Sequence, residues 1–333
     1  MLYSQAEIIK HHREQKGLTQ SQLAEGICSR FHIVKAEAGT RKLSDFVFRD
    51  VLLKLDLEPH DFNVGISTED NDTIFYLQME EALRIPDYSN SREHSKKIKD
   101  DIINYISVRK IEPANAKYWE LLKLRADILI NLPGVVTAYT DSDLFHPNVL
   151  KARECAIEAV KLFRPNFELE KINTYFLTLR EYDLLKNMAL TYGYAGELKK
   201  EVEITDKLIT NIEMNHKNLA DNHTLNSYYT ALLGNNGTNY NLLEMWGECL
   251  ETNSKCMNMF IKSANIMYYI GGLYSKAYAL MKLGRTDEGR ECWKKYFMLL
   301  YVFGESFTGI NISTSKKDYE STFGETLDIG IDF

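Results

Sequence analysis

Apolar residues recur at helical spacing along almost the whole chain, and short polar or glycine breaks cut that pattern into segments. In residues 1–66 the segments are short and sharply bounded. Ile8, Ile9 and His12 share one helix face that stops at Gly17, and Thr19 then offers an oxygen to cap a second helix, Gln20 to Glu25. Gly26-Ile27-Cys28 forms a three-residue turn, Ser29 caps a third helix and Gly39 closes it, which is helix-turn-helix spacing. Leu43 and Ser44 open a fourth helix with Val47, Val51 and Leu55 on one face, and Pro59 suits the first position of a fifth piece ending near Phe62. Leu23, Ala24, Ile27 and Ile33 are the expected core between helices two and three.

From about Asp70 to Phe303 the same periodicity predicts amphipathic helices over 71–84, 93–111, 114–131, 147–163, 168–179, 181–194, 197–213, 223–233, 240–258, 262–283 and 286–303. Pro86 to Arg92 and Leu132 to Pro147 are the main breaks. With Gly196, Gly237 and Gly284 taken as turns between paired helices, the residues seven before are Ala189, Thr230 and Ala277, small enough for close helix contact. Nine after, Trp246 and Trp293 match and Thr205 departs. The fold expected is all-α. After Phe303, Gly, Ser, Thr and Asp alternate with Phe307, Ile310, Ile312, Phe323 and Ile331, read as an extended arm or an unstructured tail.

Composition narrows the possibilities. Hydrophobic residues at 44% and charged residues at 26% are those of an average folded protein, which excludes a wholly disordered or collagen-like chain. The net charge of −7 points to neither nucleic acid nor membrane, so any such binding needs a local patch. One exists: residues 1–66 hold equal numbers of basic and acidic side chains, yet Ser29 to Lys42 carries Arg30, Lys35, Arg41 and Lys42 against Glu37 alone. Met1 to Lys16 has no apolar core of a secretion signal, and the longest apolar run, Tyr296 to Phe303, falls short of the roughly 18–20 residues that cross a bilayer. Cys28, Cys155, Cys249, Cys256 and Cys292 include no C-x-x-C pair, as expected of reduced thiols in a cytoplasmic protein. No phosphate loop or H-E-x-x-H is present, Gly234-Asn235-Asn236-Gly237 lacks the lysine a phosphate loop needs, and no Cys/His cluster suggests zinc. Neither an enzyme, a metal site nor a cofactor is expected.

Leu18-Thr19-Gln20-x-x-Leu23-Ala24, followed by Gly26-Ile27-x-Ser29-x-x-x-Ile33-x-Lys35-x-Glu37-x-Gly39, resembles the Cro/CI-type helix-turn-helix domain. In that family the first turn of the third helix enters the major groove. The resemblance implies Arg30, Phe31 and Lys35 as base readers with His32 nearby: Arg30 paired with a guanine, Phe31 on a thymine methyl, Lys35 on a base or phosphate. It implies Thr19, Gln20 and Ser29 at the helix starts, and Arg41 and Lys42 in the next loop, as the phosphate clamp.

The longer region resembles an irregular tetratricopeptide (TPR) array, with spacings of 41 and 47 residues between the three glycines against the usual ~34. Such arrays present the first helix of each pair on a concave surface suited to an extended peptide. Residues ten, six and two before each glycine share a helix face: Lys186, Leu190 and Tyr194; Ser227, Ala231 and Asn235; Tyr274, Tyr278 and Lys282. These are the candidate peptide contacts, with core packing as the competing role for each.

Together the two parts resemble the Rgg/PrgX/PlcR class of peptide-pheromone-responsive transcription regulators, and Gly26-Ile27-x-Ser29-Arg30 through Lys35-x-Glu37-Ala38-x-Thr40-Arg41 looks most like the PrgX branch. That resemblance implies a cytoplasmic homodimer or tetramer that binds a double-stranded DNA operator under control of a short signalling peptide, as in quorum sensing. It divides the chain into a DNA-binding domain at 1–66, a linker helix and joint at 67–92, a peptide-binding and dimerisation domain at 93–303, and an arm or tail at 304–333. A helical scaffold for another protein, or a repressor sensing a small metabolite in a closed pocket, are the alternatives.

Overall fold

The computed structural model describes residues 4–57, 59, 71–84, 91–111, 115–132, 148–216, 223–263, 266–304, 312–324 and 326, and among these no strand occurs. The chain divides into two compact units: residues 1–197 with 213–215, and residues 198–212 with 216–333.

The first unit opens with α1 (Gln5–Gln15), α2 (Gln20–Ala24), α3 (Arg30–Glu37) and α4 (Asp45–Lys54). Side-chain oxygens start the first two helices. Ser4 and Glu7, then Thr19 and Gln22, form reciprocal capping boxes that satisfy amides no helical carbonyl can reach. Ser29 stands at the N-cap of α3 in extended conformation but gives no capping bond; its hydroxyl pairs instead with His32 Nδ1 at 2.9 Å. Ile9, Leu23, Ile27, Ile33, Val51 and Leu52 are fully buried in one core, each worth about 1.5–3 kcal/mol of transfer free energy.

The unit continues with α5 (Asn71–Arg84), α6 (Ser91–Ser107), α7 (Ala116–Asn131), α8 (Val149–Lys161) and α9 (Leu179–Tyr194). α6 to α9 pack in sequence, and α5 lies against α6 and α7. Phe46 of α4 meets Tyr76 of α5 and Tyr118 of α7 at ring distances of 4.9 and 5.1 Å, an aromatic join between the N-terminal module and the helices behind it. The helix expected over 168–179 is not formed. Leu169–Thr174 is a single 3₁₀ stretch, and the chain then runs extended through Tyr175 to Thr178, because Thr178 and Glu181 make the capping box that starts α9 and an N-cap cannot itself be helical.

The second unit comprises α10 (Leu198–Asn215), α11 (His223–Leu242), α12 (Trp246–Ser263), α13 (Ile266–Lys282), α14 (Thr286–Phe303) and α15 (Ile312–Phe323). α11 to α14 pack consecutively as helix hairpins. Two expectations are corrected here. Gly237 is not a turn but lies inside α11, so the helices expected over 223–233 and 240–258 are a 20-residue α11 and a later α12. Its missing side chain has a packing role, since a Cβ there would stand 2.4 Å from Oδ1 of Asn253 on α12. The true turn is at Glu244, which adopts φ +60° with no glycine to ease it.

The second correction concerns 304–333, where α15 replaces the expected extended arm or unstructured tail. Ile312, Tyr319 and Phe323 recur at helical spacing and pack with Trp293 and Phe297 of α14, and Tyr296 and Ser315 share a 3.0 Å hydroxyl bond. The expected piece ending at Phe62, and the breaks at 86–92 and 132–147, fall wholly or mostly outside the described residues. No helix among the described residues is long and apolar enough to cross a membrane, and no group of His, Cys, Asp and Glu among them is placed to hold a metal ion.

Candidate nucleic-acid interface

The first turns of α3 present their side chains outward. Arg30 is exposed and Phe31 is 57% exposed, an unusual position for a large aromatic. Lys35, one turn on, sets its ammonium 4.5 Å from the centre of the Phe31 ring, so the cation and the aromatic form one surface feature. Arg41 and Lys42 are exposed in the loop that follows, and His32 is half-buried against Ser29.

The one acid of this stretch is neutralised from within the module. Arg13 of α1 donates Nε and Nη2 to the two Glu37 oxygens at 2.5 and 3.0 Å, and Gln20 Nε2 donates to Glu37 at 2.9 Å. Arg30, Lys35, Arg41 and Lys42 therefore face outward without an opposing carboxylate of their own stretch. The same bond ties up Gln20, the proposed phosphate clamp, in holding α2 to α3. Thr19 is exposed but spends its hydroxyl on the Gln22 amide.

What sequence reading missed lies behind this face, at the turn between α2 and α3. Three consecutive carbonyls of that turn each accept a bond from a cation: Glu25 O from Lys54 Nζ at 2.6 Å, Gly26 O from Arg180 Nη2 at 3.0 Å, and Ile27 O from Lys117 Nζ at 2.6 Å. Arg180 also pairs with Asp50 at 2.6 Å, and Arg164 links Glu25 to Glu181. Burial pushes the Lys54 ammonium down to about 8, against the pull of Glu181 and Glu25. Burial would raise the Glu181 carboxyl, but Arg164, Lys54 and the Thr178 amide outweigh it and hold it below its ordinary value. No local sequence signal pairs a turn at 25–27 with lysine 117 and arginine 180; only the tertiary fold does.

The candidate peptide contacts are distributed over both units. On α9, Lys186, Leu190 and Tyr194 are half-buried, and Lys186 pairs with Asp183 at 3.1 Å. In the second unit Ser227 and Asn235 are half-buried, Ala231 is buried, and Lys282 is exposed with its ammonium 5.5 Å from the Tyr278 ring. Tyr274 packs on Trp293 and Tyr296, with ring centres 5.0 and 5.5 Å away.

Among the described residues, the turns at Gly196, Glu244 and Gly284 share one hydrogen-bond pattern. The Gly196, Glu244 and Gly284 amides bond back to Gly193, Asn241 and Met281, and the next amides bond to Tyr192, Tyr240 and Leu280. With Glu244 in place of Gly237, the residues seven before the turns become Ala189, Gly237 and Ala277, all small and buried. Nine after, the set becomes Thr205, Asn253 and Trp293, all buried. The register on which Ser227, Ala231 and Asn235 were chosen moves by the same seven residues, and the positions equivalent to the other two triplets are Gly234, Thr238 and Leu242.

No family model and no curated protein matches this chain. Among solved structures, PlcR of Bacillus thuringiensis in complex with the peptide PapR7 and DNA aligns at 17% identity and TM-score 0.49, covering 97% of this chain and 99% of that one. The apo form of the competence regulator ComR from Streptococcus vestibularis aligns at 17% and 0.49, covering 96% and 97%. ComR from S. thermophilus with DNA and its signalling peptide ComS aligns at 14% and 0.46, covering 96% and 99%.

Proposed function

We propose that this protein is a sequence-specific DNA-binding transcription regulator of the Rgg/PrgX/PlcR class, nearest the PrgX branch, and not an enzyme. The observation that carries the reading is the face of α3: Arg30 and Phe31 are exposed at the start of the helix, half-buried Lys35 stands one turn on beside the Phe31 ring, and Glu37 is already satisfied by Arg13. A helix fits the major groove, where a guanidinium pairs with guanine and an aromatic edge meets a thymine methyl. Arg41 and Lys42 add the phosphate contacts that fix register, with Thr19, Gln20, Ser29 and His32 at the margins. A protein with a net charge of −7 gains little from non-specific attraction, so its affinity rests on this local face.

The regulating ligand in this reading is a short signalling peptide, with Lys186, Leu190 and Tyr194 as candidate contacts in the first unit and Ser227, Ala231, Asn235, Tyr274, Tyr278 and Lys282 in the second. The regulator acts in the cytoplasm as a homodimer or tetramer.

Selection of duplexes from a random pool by the full-length protein tests the reading. Enrichment of one motif, lost in the Arg30→Ala variant, supports it; a pool that stays random after repeated rounds refutes it. A second reading, in which a small polar metabolite is the effector, draws on a cavity of about 360 Å³. Its lining includes Ser44 and Asp45 of the N-terminal module with Asp72, Lys110, Asn115 and Trp119. Binding of the selected duplex that responds to no peptide would favour that reading.

A further inference from the structure

The seat of the α2–α3 turn is built from charged groups where a packed apolar contact would also serve. Lys54, Lys117 and Arg180 converge on the carbonyls of Glu25, Gly26 and Ile27, and none of these bonds involves Arg30, Phe31, Lys35, Arg41 or Lys42. Arg180 is buried, with its guanidinium 3.6 Å from the centre of the Phe163 ring. Gly26 permits the approach: it has φ +73°, and a Cβ there would stand 2.7 Å from Glu181 Oε2. Burying Lys54 and Arg180 is costly, and the half-buried Lys117 ammonium is further disfavoured by Arg180 beside it. Apolar side chains would bury area without fixing an angle, whereas three N–H···O bonds to successive carbonyls specify a single orientation.

We propose that Lys54, Lys117 and Arg180 are positioning residues that set the angle at which the reading helix α3 meets DNA, by clamping the turn that leads into it. The inference rests on the DNA-reading function proposed above. Lys117 comes from α7 and Arg180 from the first turn of α9, so these helices and the reading helix move as one body. Lys186, Leu190 and Tyr194 lie on later turns of the same α9.

The test uses the full-length protein, its Lys117→Met and Arg180→Gln variants, and a duplex selected from a random pool by the unaltered protein. Amide hydrogen exchange over Glu25 to Ile33 reads the clamp without DNA. Both variants are expected to keep a cooperative helical melt while these amides exchange about tenfold faster. Affinity for the selected duplex is expected to fall about tenfold, and its salt slope to stay unchanged because no phosphate contact is removed. Arg180→Lys, which retains a donor, is expected to restore part of both. Where Arg180→Gln fails to fold, Lys117→Met decides. Unchanged exchange and unchanged affinity in folded variants overturn the inference and leave the DNA reading standing. Faster exchange in a protein that selects no duplex shows that the DNA reading has failed, and the positioning role with it.

Discussion

Single residues in this chain act through what surrounds them, and Glu201 is the sharpest case. It lies five residues after the Gly196 turn, and the same position after the Glu244 and Gly284 turns is Cys249 and Gly289, so a carboxyl stands in a slot that elsewhere takes a small or uncharged group. Burial pushes it up to about 8, against a smaller opposing pull from the Asn239 side chain. The native state then keeps a proton that the unfolded chain releases near its ordinary value of 4.5. Stability is therefore fullest below that value and falls as pH rises towards 8, by at most about 1.4 kcal/mol per pH unit. Glu201→Gln should remove this slope, so that its advantage in urea midpoint widens from pH 5 to pH 8 and is constant above. Parallel midpoints across that range would show that the carboxyl is ionised in the folded protein. At the reading face, Phe31→Ala should leave overall affinity within about tenfold but relax preference at one thymine, since a methyl contact is worth about 1 kcal/mol; selection from a random pool reads this directly. The helix that carries that face was legible in the sequence because it follows a glycine turn at fixed spacing, and the role of its residues is what the Cro/CI resemblance implies. Arg13, Lys117 and Arg180 were not, because their partners lie far along the chain.

Capping chemistry made one helix start legible and left another misread. Thr19 offers a side-chain oxygen with Gln22 three residues on, and α2 starts there as expected, whereas the Thr178 and Glu181 box that starts α9 was read as helix. The misread end of α11 has another cause: glycine does two jobs. Gly196 and Gly284 turn the chain, whereas Gly237 lets α12 approach α11, and the turn between those helices falls on a glutamate. Opposite outcomes follow for two substitutions. Gly237→Ala should cost roughly 1–3 kcal/mol through overlap with Asn253, although alanine favours a helix by about 1 kcal/mol. Glu244→Gly should stabilise by about 0.5–1 kcal/mol, since it relieves a left-handed backbone at some cost in chain entropy. Denaturation midpoints of the two variants check both, and a stabilising Gly237→Ala would contradict the close approach of α12 at Gly237. The tail was misread because Ile312, Tyr319 and Phe323 are separated by serine, threonine and lysine, which blur a helical face.

For the whole molecule, the all-α class was readable from periodicity alone. The docking of the N-terminal module on α7 and α9 was not, because it is made of hydrogen bonds to backbone carbonyls that leave no mark in residue pattern. A rigid seat bears on regulation. A peptide alters DNA binding only by preferring one arrangement of the molecule, and DNA must alter peptide affinity by the same factor. Titrating a peptide against the protein with and without the selected duplex should therefore give reciprocal shifts, and unequal shifts would place peptide and DNA on different assemblies.

The central claim is that the exposed start of α3 reads base sequence. Fluorescence anisotropy at one fixed salt concentration, with the selected duplex and a scrambled one, tests it most directly in the full-length protein and its Arg30→Ala variant. The account predicts a loss of about 1–3 kcal/mol, roughly tenfold to a hundredfold, on the selected duplex and little change on the scrambled one. Equal loss on both duplexes would make Arg30 a phosphate contact and contradict the reading role of α3.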